Sequence, residues 1–250
     1  MAKKMDLKSG SSKKPHEYII FPLDLPTLDE ATHYVRLLKN YIGLFKVGLE
    51  LFVKEGPKIL RAIAEETPTK IFLDMKFHDI PETVSGAQKA ANAHHATFIT
   101  VHCEEGKGLL KAVVDSVKNG TKILGITVLT SLSKEDLKEI GIREDLQDPT
   151  QLVLHRARLA KLAGCSGVVC SGKEVKAVKQ EFGKDFIVVV PAIRPKWSVV
   201  NADDQKRITT PYDAIKDGAD YIVVGRPIKN APDPIEAVKK IAKEIEQALS

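Results

Sequence analysis

Short apolar runs rich in β-branched residues recur along the chain, and amphipathic stretches fill the gaps between them. The runs predict strands at 18–24, 45–49, 70–76, 98–102, 122–129, 167–171, 186–193 and 221–225. Near-continuous apolar segments such as Ile187-Val188-Val189-Val190 suit strands buried on both faces, as in a parallel sheet. Thr27-Leu28-Asp29-Glu30 reads as a helix capping box. Thr210-Pro211 and Asp233-Pro234 each set a cap residue before proline at a first helical position. Ile235, Val238, Ile241, Ile245 and Leu249 then repeat close to the helical period. Two histidines, His94-His95, close another helical stretch and are expected to cap it.

Eight strands alternating with eight helices over about 235 residues is the arithmetic of a single (β/α)8 TIM barrel. A doubly wound open sheet uses the same elements, and periodicity alone does not separate the two. No Pro/Gly/Ser-rich linker or internal repeat divides the chain. The expected organisation is a basic, disordered tail at 1–14 and one catalytic domain at 15–250. A barrel carries its chemistry at the C-terminal ends of its strands, and charged residues gather there.

Strand one ends in Asp24 and strand two carries Lys46, while strand three ends in Asp74-Met75-Lys76 with His78 and Asp79 beyond. Residues two apart in a strand share a face, so Asp74 and Lys76 are expected to project together. Asp79 lies in the following loop, able to turn toward this mouth or toward a neighbouring subunit. Burying such charges is costly unless function requires it. Carboxylates beside Lys76 would hold it as an ammonium, which makes it a poor nucleophile and a well-held proton donor. That logic points to a proton delivered to a developing carbanion. At the far end of the chain, Arg194 follows strand seven, and Gly225-Arg226-Pro227 follows strand eight, where barrels often bind phosphate. The polar segment 195–209, with Trp197 and Gln205, is long enough to serve as a lid.

Composition narrows the partners. The net charge is +5, but Lys3, Lys4, Lys8, Lys13 and Lys14 against Asp6 make most of it a property of the first fourteen residues. From Pro15 onward 33 basic residues face 32 acidic ones, which argues against nucleic acid as a ligand. No apolar run approaches the ~20 residues of a membrane span. Three cysteines, Cys103, Cys165 and Cys170, lack zinc-knuckle or redox spacing and suit buried thiols in a cytoplasmic protein. Cys103 beside His102 lacks an accompanying oxyanion donor set, so a buried thiol is expected there too. His78 is expected to pack or hydrogen-bond within its loop.

The segment Phe72-Leu73-Asp74-Met75-Lys76-Phe77-His78-Asp79-Ile80-Pro81-Glu82-Thr83 closely resembles the signature of the orotidine 5′-phosphate decarboxylase family. The resemblance continues in order through Leu23-Asp24, Lys46-Val47-Gly48, Thr127-Val128-Leu129-Thr130-Ser131, Pro191-Ala192-Ile193-Arg194, Asp204-Gln205 and Val224-Gly225-Arg226-Pro227. It implies a cofactor-free, metal-free decarboxylation of orotidine 5′-monophosphate to uridine 5′-monophosphate, the last step of pyrimidine synthesis. By that resemblance Lys76 protonates C6 of the pyrimidine, Asp74 sits against the substrate carboxylate, and Lys46 holds the charge array and contacts the ribose. Asp24 binds ribose hydroxyls and Thr130 lies at the pyrimidine. Arg194, Gln205, Gly225 and Arg226 grip the phosphate. Asp79 joins Lys46, Asp74 and Lys76 as a catalytic residue, Ile80 and Thr83 bind substrate, and Asp79 and Thr83 enter the site of a partner subunit, which implies a homodimer.

Three positions depart from the family pattern. Ala192 replaces a glycine, a small change that leaves Arg194 in register. Cys103-Glu104-Glu105-Gly106 follows His102 where small residues are usual, adding two acids at the rim. The segment 195–204 is slightly longer than in common bacterial relatives, which loosens the register of Gln205. The alternative is a metal-dependent sugar-phosphate aldolase or epimerase of the same superfamily. Related sugar-phosphate enzymes place an acid at the end of strand two, where Lys46 would repel Mg²⁺. Glu50, one turn into the next helix, is a poor substitute.

Overall fold

The computed structural model describes residues 13–68, 70–118, 120–198 and 207–250. Eight parallel strands close on themselves in sequence order, β1 (Ile19–Pro22), β2 (Leu44–Val47), β3 (Lys70–Phe77), β4 (Phe98–His102), β5 (Lys122–Ile126), β6 (Gly167–Val169), β7 (Ile187–Val190) and β8 (Tyr221–Val223). Pairing of β1 with both β2 and β8 shuts the barrel and excludes the open sheet. A closed sheet leaves no unpaired edge. The charged strand ends consequently meet around one mouth.

Alternation along the strands sorts their residues into two layers. Ile20, Leu44, Phe72, Phe98, Leu124, Val189 and Val223 form one buried cluster in the barrel interior. Their sequence neighbours, among them Phe21, Phe45, Leu73, Ile99 and Val188, pack outward into the larger core shared with the helices. Phe98 meets Phe72 and Tyr221 edge-on, with ring centroids 5.9 and 5.2 Å away, and so fills the N-terminal end of the barrel. Lys13 covers that end, its Nζ 3.3 Å from the Tyr221 ring centroid and 3.9 Å from that of Tyr18, while donating to the Asp220 carbonyl at 2.5 Å. Burial brings the Lys13 pKa down to about 7, against the opposing pull of Asp220 and Glu17. Residues 1–12 of the expected tail lie outside the described residues.

The helices follow the expected signals with informative differences. After β1 comes α1 (Leu28–Leu38), where Thr27 Oγ1 accepts from the Glu30 amide. The β2–β3 connection breaks at Gly56-Pro57 into α2 (Leu49–Glu55) and α3 (Lys58–Glu66). Then follow α4 (Pro81–Asn92), α5 (Gly106–Asp115), α6 (Lys134–Glu139), α7 (Pro149–Ala163), α8 (Val175–Phe182), α9 (Pro211–Lys216), α10 (Arg226–Lys229) and α11 (Pro234–Leu249). Thr210 and Asp233 cap α9 and α11 as their sequences foretold. Along α11, Val238, Ile241 and Ile245 are buried, whereas Leu249 is half exposed at the final turn. His94-His95 follow α4, and His95 leaves it at φ +52°, so a left-handed backbone turn ends the helix there. Among the described residues no helix is long and apolar enough to cross a membrane.

Six strands stop two or three residues before their apolar patterns do. The chain bends off the sheet there to line the mouth. Just beyond β5, for instance, the Val169 carbonyl accepts from both the Thr127 amide at 3.3 Å and the Thr127 hydroxyl at 2.7 Å.

The close spacing of β6 and β7 rests on Gly167. A Cβ built on it would stand 2.1 Å from the Ile187 carbonyl oxygen, backbone that cannot rotate away. Gly167→Ala should therefore destabilise the fold by about 3 kcal/mol or more, as overpacking of a rigid core does. A midpoint of urea unfolding equal to that of the unsubstituted chain would refute this account.

Candidate active site

Three strand ends deliver the central charges to the mouth. Register places Pro22 beside Lys46 and Lys46 beside Phe72, so β1, β2 and β3 bring Asp24, Lys46 and Asp74 close together. Asp74 is buried, and its carboxylate is shared by several groups. Lys76 Nζ donates to Asp74 Oδ2 at 2.7 Å, and Lys46 Nζ stands 3.7 Å from that same oxygen. Lys46 Nζ also donates to Asp24 Oδ1 at 3.1 Å. The Thr100 hydroxyl donates to Asp74 Oδ1 at 2.9 Å. Burial works against ionising Asp74, but Lys46, Lys76 and the hydrogen bonds from Lys76 and Thr100 hold its pKa below the ordinary carboxylate value. Gly48 leaves room for this arrangement, since a Cβ there would lie 2.8 Å from Lys46 Nζ.

The local route to this geometry is less regular than strand alternation implies. β3 slips register against β4 between Leu73 and Phe77, and Lys76 sits at φ +49°. Its amide donates to Thr100 Oγ1 at 2.8 Å. One hydroxyl on β4 therefore holds the strained backbone of Lys76 and the carboxylate of Asp74 together. Thr100 is a site residue that sequence reasoning missed, because a single threonine inside Phe98-Ile99-Thr100-Val101 reads as ordinary strand filler.

These charges occupy one side of a cavity of about 500 Å³. Arg194, Gly225, Arg226 and Thr130 line the same cavity. Phe72, Ile126, Val128 and Val169 supply an apolar lining. Arg194 is buried, and its Nη1 donates to the Ile193 carbonyl at 2.9 Å. Arg226 begins α10 immediately after Gly225. Lys229, also overlooked in the sequence, joins the lining and donates to the Asp24 carbonyl at 3.1 Å. Its position one turn beyond Arg226 is the signal that could have identified it.

Asp79, Ile80 and Thr83 are not brought into this cavity. Asp79 Oδ1 accepts from the Ile80 amide at 2.6 Å, and all three residues are exposed on the loop and first turn of α4. Ile80 shows 65 % of its surface, an unusual exposure for a large apolar side chain beside a charged mouth. Gln205 lies outside the described residues, as does most of the 195–204 segment.

The departures also have a physical form. Ala192 sits at φ +58°, a conformation that favours glycine, so the residue bears backbone strain while Arg194 keeps its place. Glu105 folds back onto the β3–α4 loop, its Oε1 2.5 Å from His78 Nε2, while Glu104 meets Arg156. His78 therefore packs against Glu105 within its rim. Burial pushes the Cys103 thiol up, and likewise raises Cys165 to about 12. Thiols so held are protonated, which fits the reading of Cys103 as structural.

Sequence and structure comparisons agree with this geometry. The family described as Orotidine 5′-phosphate decarboxylase / HUMPS matches residues 17–241. The orotidine 5′-phosphate decarboxylase of Desulfosudis oleivorans is 47 % identical over 97 % of this chain and 98 % of its own length. That of Syntrophus aciditrophicus is 42 % identical over 97 % of this chain and 98 % of its own. The crystal structure of orotidine 5′-phosphate decarboxylase from Lactobacillus acidophilus superposes with a TM-score of 0.78 at 36 % identity, covering 91 % of this chain and 98 % of that one. The chain belongs to the orotidine 5′-phosphate decarboxylase/HUMPS family.

Proposed function

We propose that this chain decarboxylates orotidine 5′-monophosphate to uridine 5′-monophosphate in pyrimidine biosynthesis. The observation that carries the reading is the buried Asp74 carboxylate, clamped by Lys46 and Lys76 in a cavity that two arginines also line. The C6–carboxylate bond breaks and its electron pair remains on C6. The Lys76 ammonium, 2.7 Å from Asp74 and partly exposed to the cavity, gives its proton to that carbon. Carbon dioxide leaves neutral, and the lysine amine regains a proton from water. Asp74 sits against the substrate carboxylate and keeps Lys76 aimed. Lys46 balances Asp24 and Asp74 and contacts the ribose, and Asp24 binds ribose hydroxyls. Thr130 lies at the pyrimidine, while Arg194, Gly225, Arg226 and Gln205 hold the phosphate.

The sugar-phosphate alternative needs a divalent cation between carboxylates at the mouth. Here the Lys46 ammonium already occupies the space between Asp24 and Asp74, 3.1 and 3.7 Å from their oxygens. A second cation would meet repulsion there. The lysine thus favours decarboxylation within a family that spans both chemistries.

The exposure of Asp79, Ile80 and Thr83 supports a homodimer in which Asp79 and Thr83 complete the partner's site, with Ile80 beside them. Residues 15–250 act as the catalytic domain, in the cytoplasm, and the basic tail before them is tied down at its end by Lys13, which packs over Tyr18 and Tyr221.

Lys76→Ala should lower kcat on orotidine 5′-monophosphate by at least about 10³-fold, within the range for loss of a positioned general acid. The ultraviolet assay of substrate loss reads this directly, while product binding should persist. Near-normal turnover would sink the proton-donor role and the proposed reaction with it. Arg226→Ala should raise KM by roughly 10- to 100-fold, the scale of a lost charge-assisted phosphate contact. An unchanged kcat/KM would remove Arg226 from the phosphate grip. Mixing equal amounts of Lys76→Ala and Asp79→Ala chains should restore about a quarter of normal activity, because half the exchanged dimers carry one intact site. Exchange without rescue would place each site within one chain.

A further inference from the structure

The two acids that depart from the family pattern converge with two histidines on one side of the mouth. His78 follows β3, His102 ends β4, and Glu104 and Glu105 occupy the turn into α5. One ligand atom from each of His78, His102 and Glu104 lies within 4.8 Å of the others. The imidazole rings stand 5.2 Å apart and tilted at 54°. His102 Nδ1 lies 4.0 Å from Glu104 Oε1 and is buried with no hydrogen-bond partner among the described residues.

We propose that His78, His102 and Glu104 form a site for a divalent cation of the Zn²⁺ class, with Glu105 as an additional carboxylate beside it. Two imidazoles and a carboxylate are borderline donors that suit zinc, cobalt or nickel, whereas magnesium and calcium prefer oxygen alone. Zinc holds such atoms at about 2.0–2.2 Å, which sets tetrahedral ligands roughly 3.3–3.6 Å apart. Closing the present cluster needs movements on the order of 1 Å. The exposed His78 and Glu104 side chains can make them.

The surroundings favour a formed site. Arg156 Nη2 holds Glu104 Oε1 at 3.1 Å, and Arg156 Nη1 in turn donates to the Thr127 carbonyl at 2.5 Å, so this carboxylate is oriented from behind. His78 immediately precedes Asp79, so a bound ion would clamp the β3–α4 loop to the turn after β4.

The test is metal uptake by the full chain after chelator treatment, followed by Zn²⁺ titration calorimetry and by the visible spectrum of Co²⁺. The expected result is one Zn²⁺ per chain and a Co²⁺ ligand-field band. His78→Ala/Glu104→Ala should abolish the band and weaken Zn²⁺ binding by at least about tenfold. Glu104→Gln keeps the shape of the turn and should also weaken binding, which covers the case of a misfolded double variant. Failure of the unsubstituted chain to take up Zn²⁺, or uptake that both variants retain, would overturn the proposal. The readout is binding, so it is decided separately from the decarboxylation assay.

Discussion

A carboxylate buried between two ammonium groups governs the architecture of the mouth. Asp74 is surrounded by Lys46, Lys76 and Thr100, and removing any one contact would leave charge in a poorly hydrated place. Asp24 supplies the second negative charge, so two acids balance two lysines before any substrate enters. In the proposed reaction the substrate carboxylate adds an anion beside Asp74. Its departure as neutral carbon dioxide moves that charge to C6, and the proton from Lys76 then quenches it. The same array that is balanced when empty is therefore one anion in excess with substrate, and that excess passes from the carboxylate to C6 and then to the deprotonated Lys76, until the amine regains a proton from water.

Holding this array exacts a backbone cost in β3. Lys76 at φ +49° and the register slip beside it break the regular alternation that would set Asp74 and Lys76 on one face. Such a conformation costs on the order of 1–3 kcal/mol and persists only where its surroundings enforce it. Thr100 provides that enforcement, accepting from the Lys76 amide while donating to Asp74. Strand spacing correctly brought the two charged residues together, but the geometry that joins them is a distortion of the strand.

This explains which parts of the molecule were legible in the chain. The barrel was, because buried parallel strands leave uninterrupted apolar runs whose recurrence does not depend on exact ends. The ends themselves were overread: β5 stops at Ile126 although Thr127, Val128 and Leu129 keep a strand-like composition. Thr127 still bonds to β6, whereas Val128 and Leu129 line the mouth instead of the sheet. Asp24, Lys46, Asp74, Lys76 and Arg226 stood out because charge at a barrel strand end is expensive without a purpose. Thr100 and Lys229 did not, since neither residue type is unusual where it occurs. Ala192 looked like a harmless substitution because sequence carries no φ value, yet its backbone occupies glycine's territory.

The positions of the charges also explain why a cavity rather than a flat rim is needed. Lysines and acids from β1 to β3 and arginines after β7 and β8 line one cavity together with Phe72, Ile126 and Val169. The apolar lining lowers the local dielectric, which strengthens the charges that share it. A substrate that spans the gap with a phosphate at one end can spend binding energy there to fix its other end against Lys76. In the proposed reaction the arginines need not touch the reacting carbon to accelerate its chemistry. They would require a fixed distance between phosphate and proton donor, and a closed eight-stranded sheet supplies it.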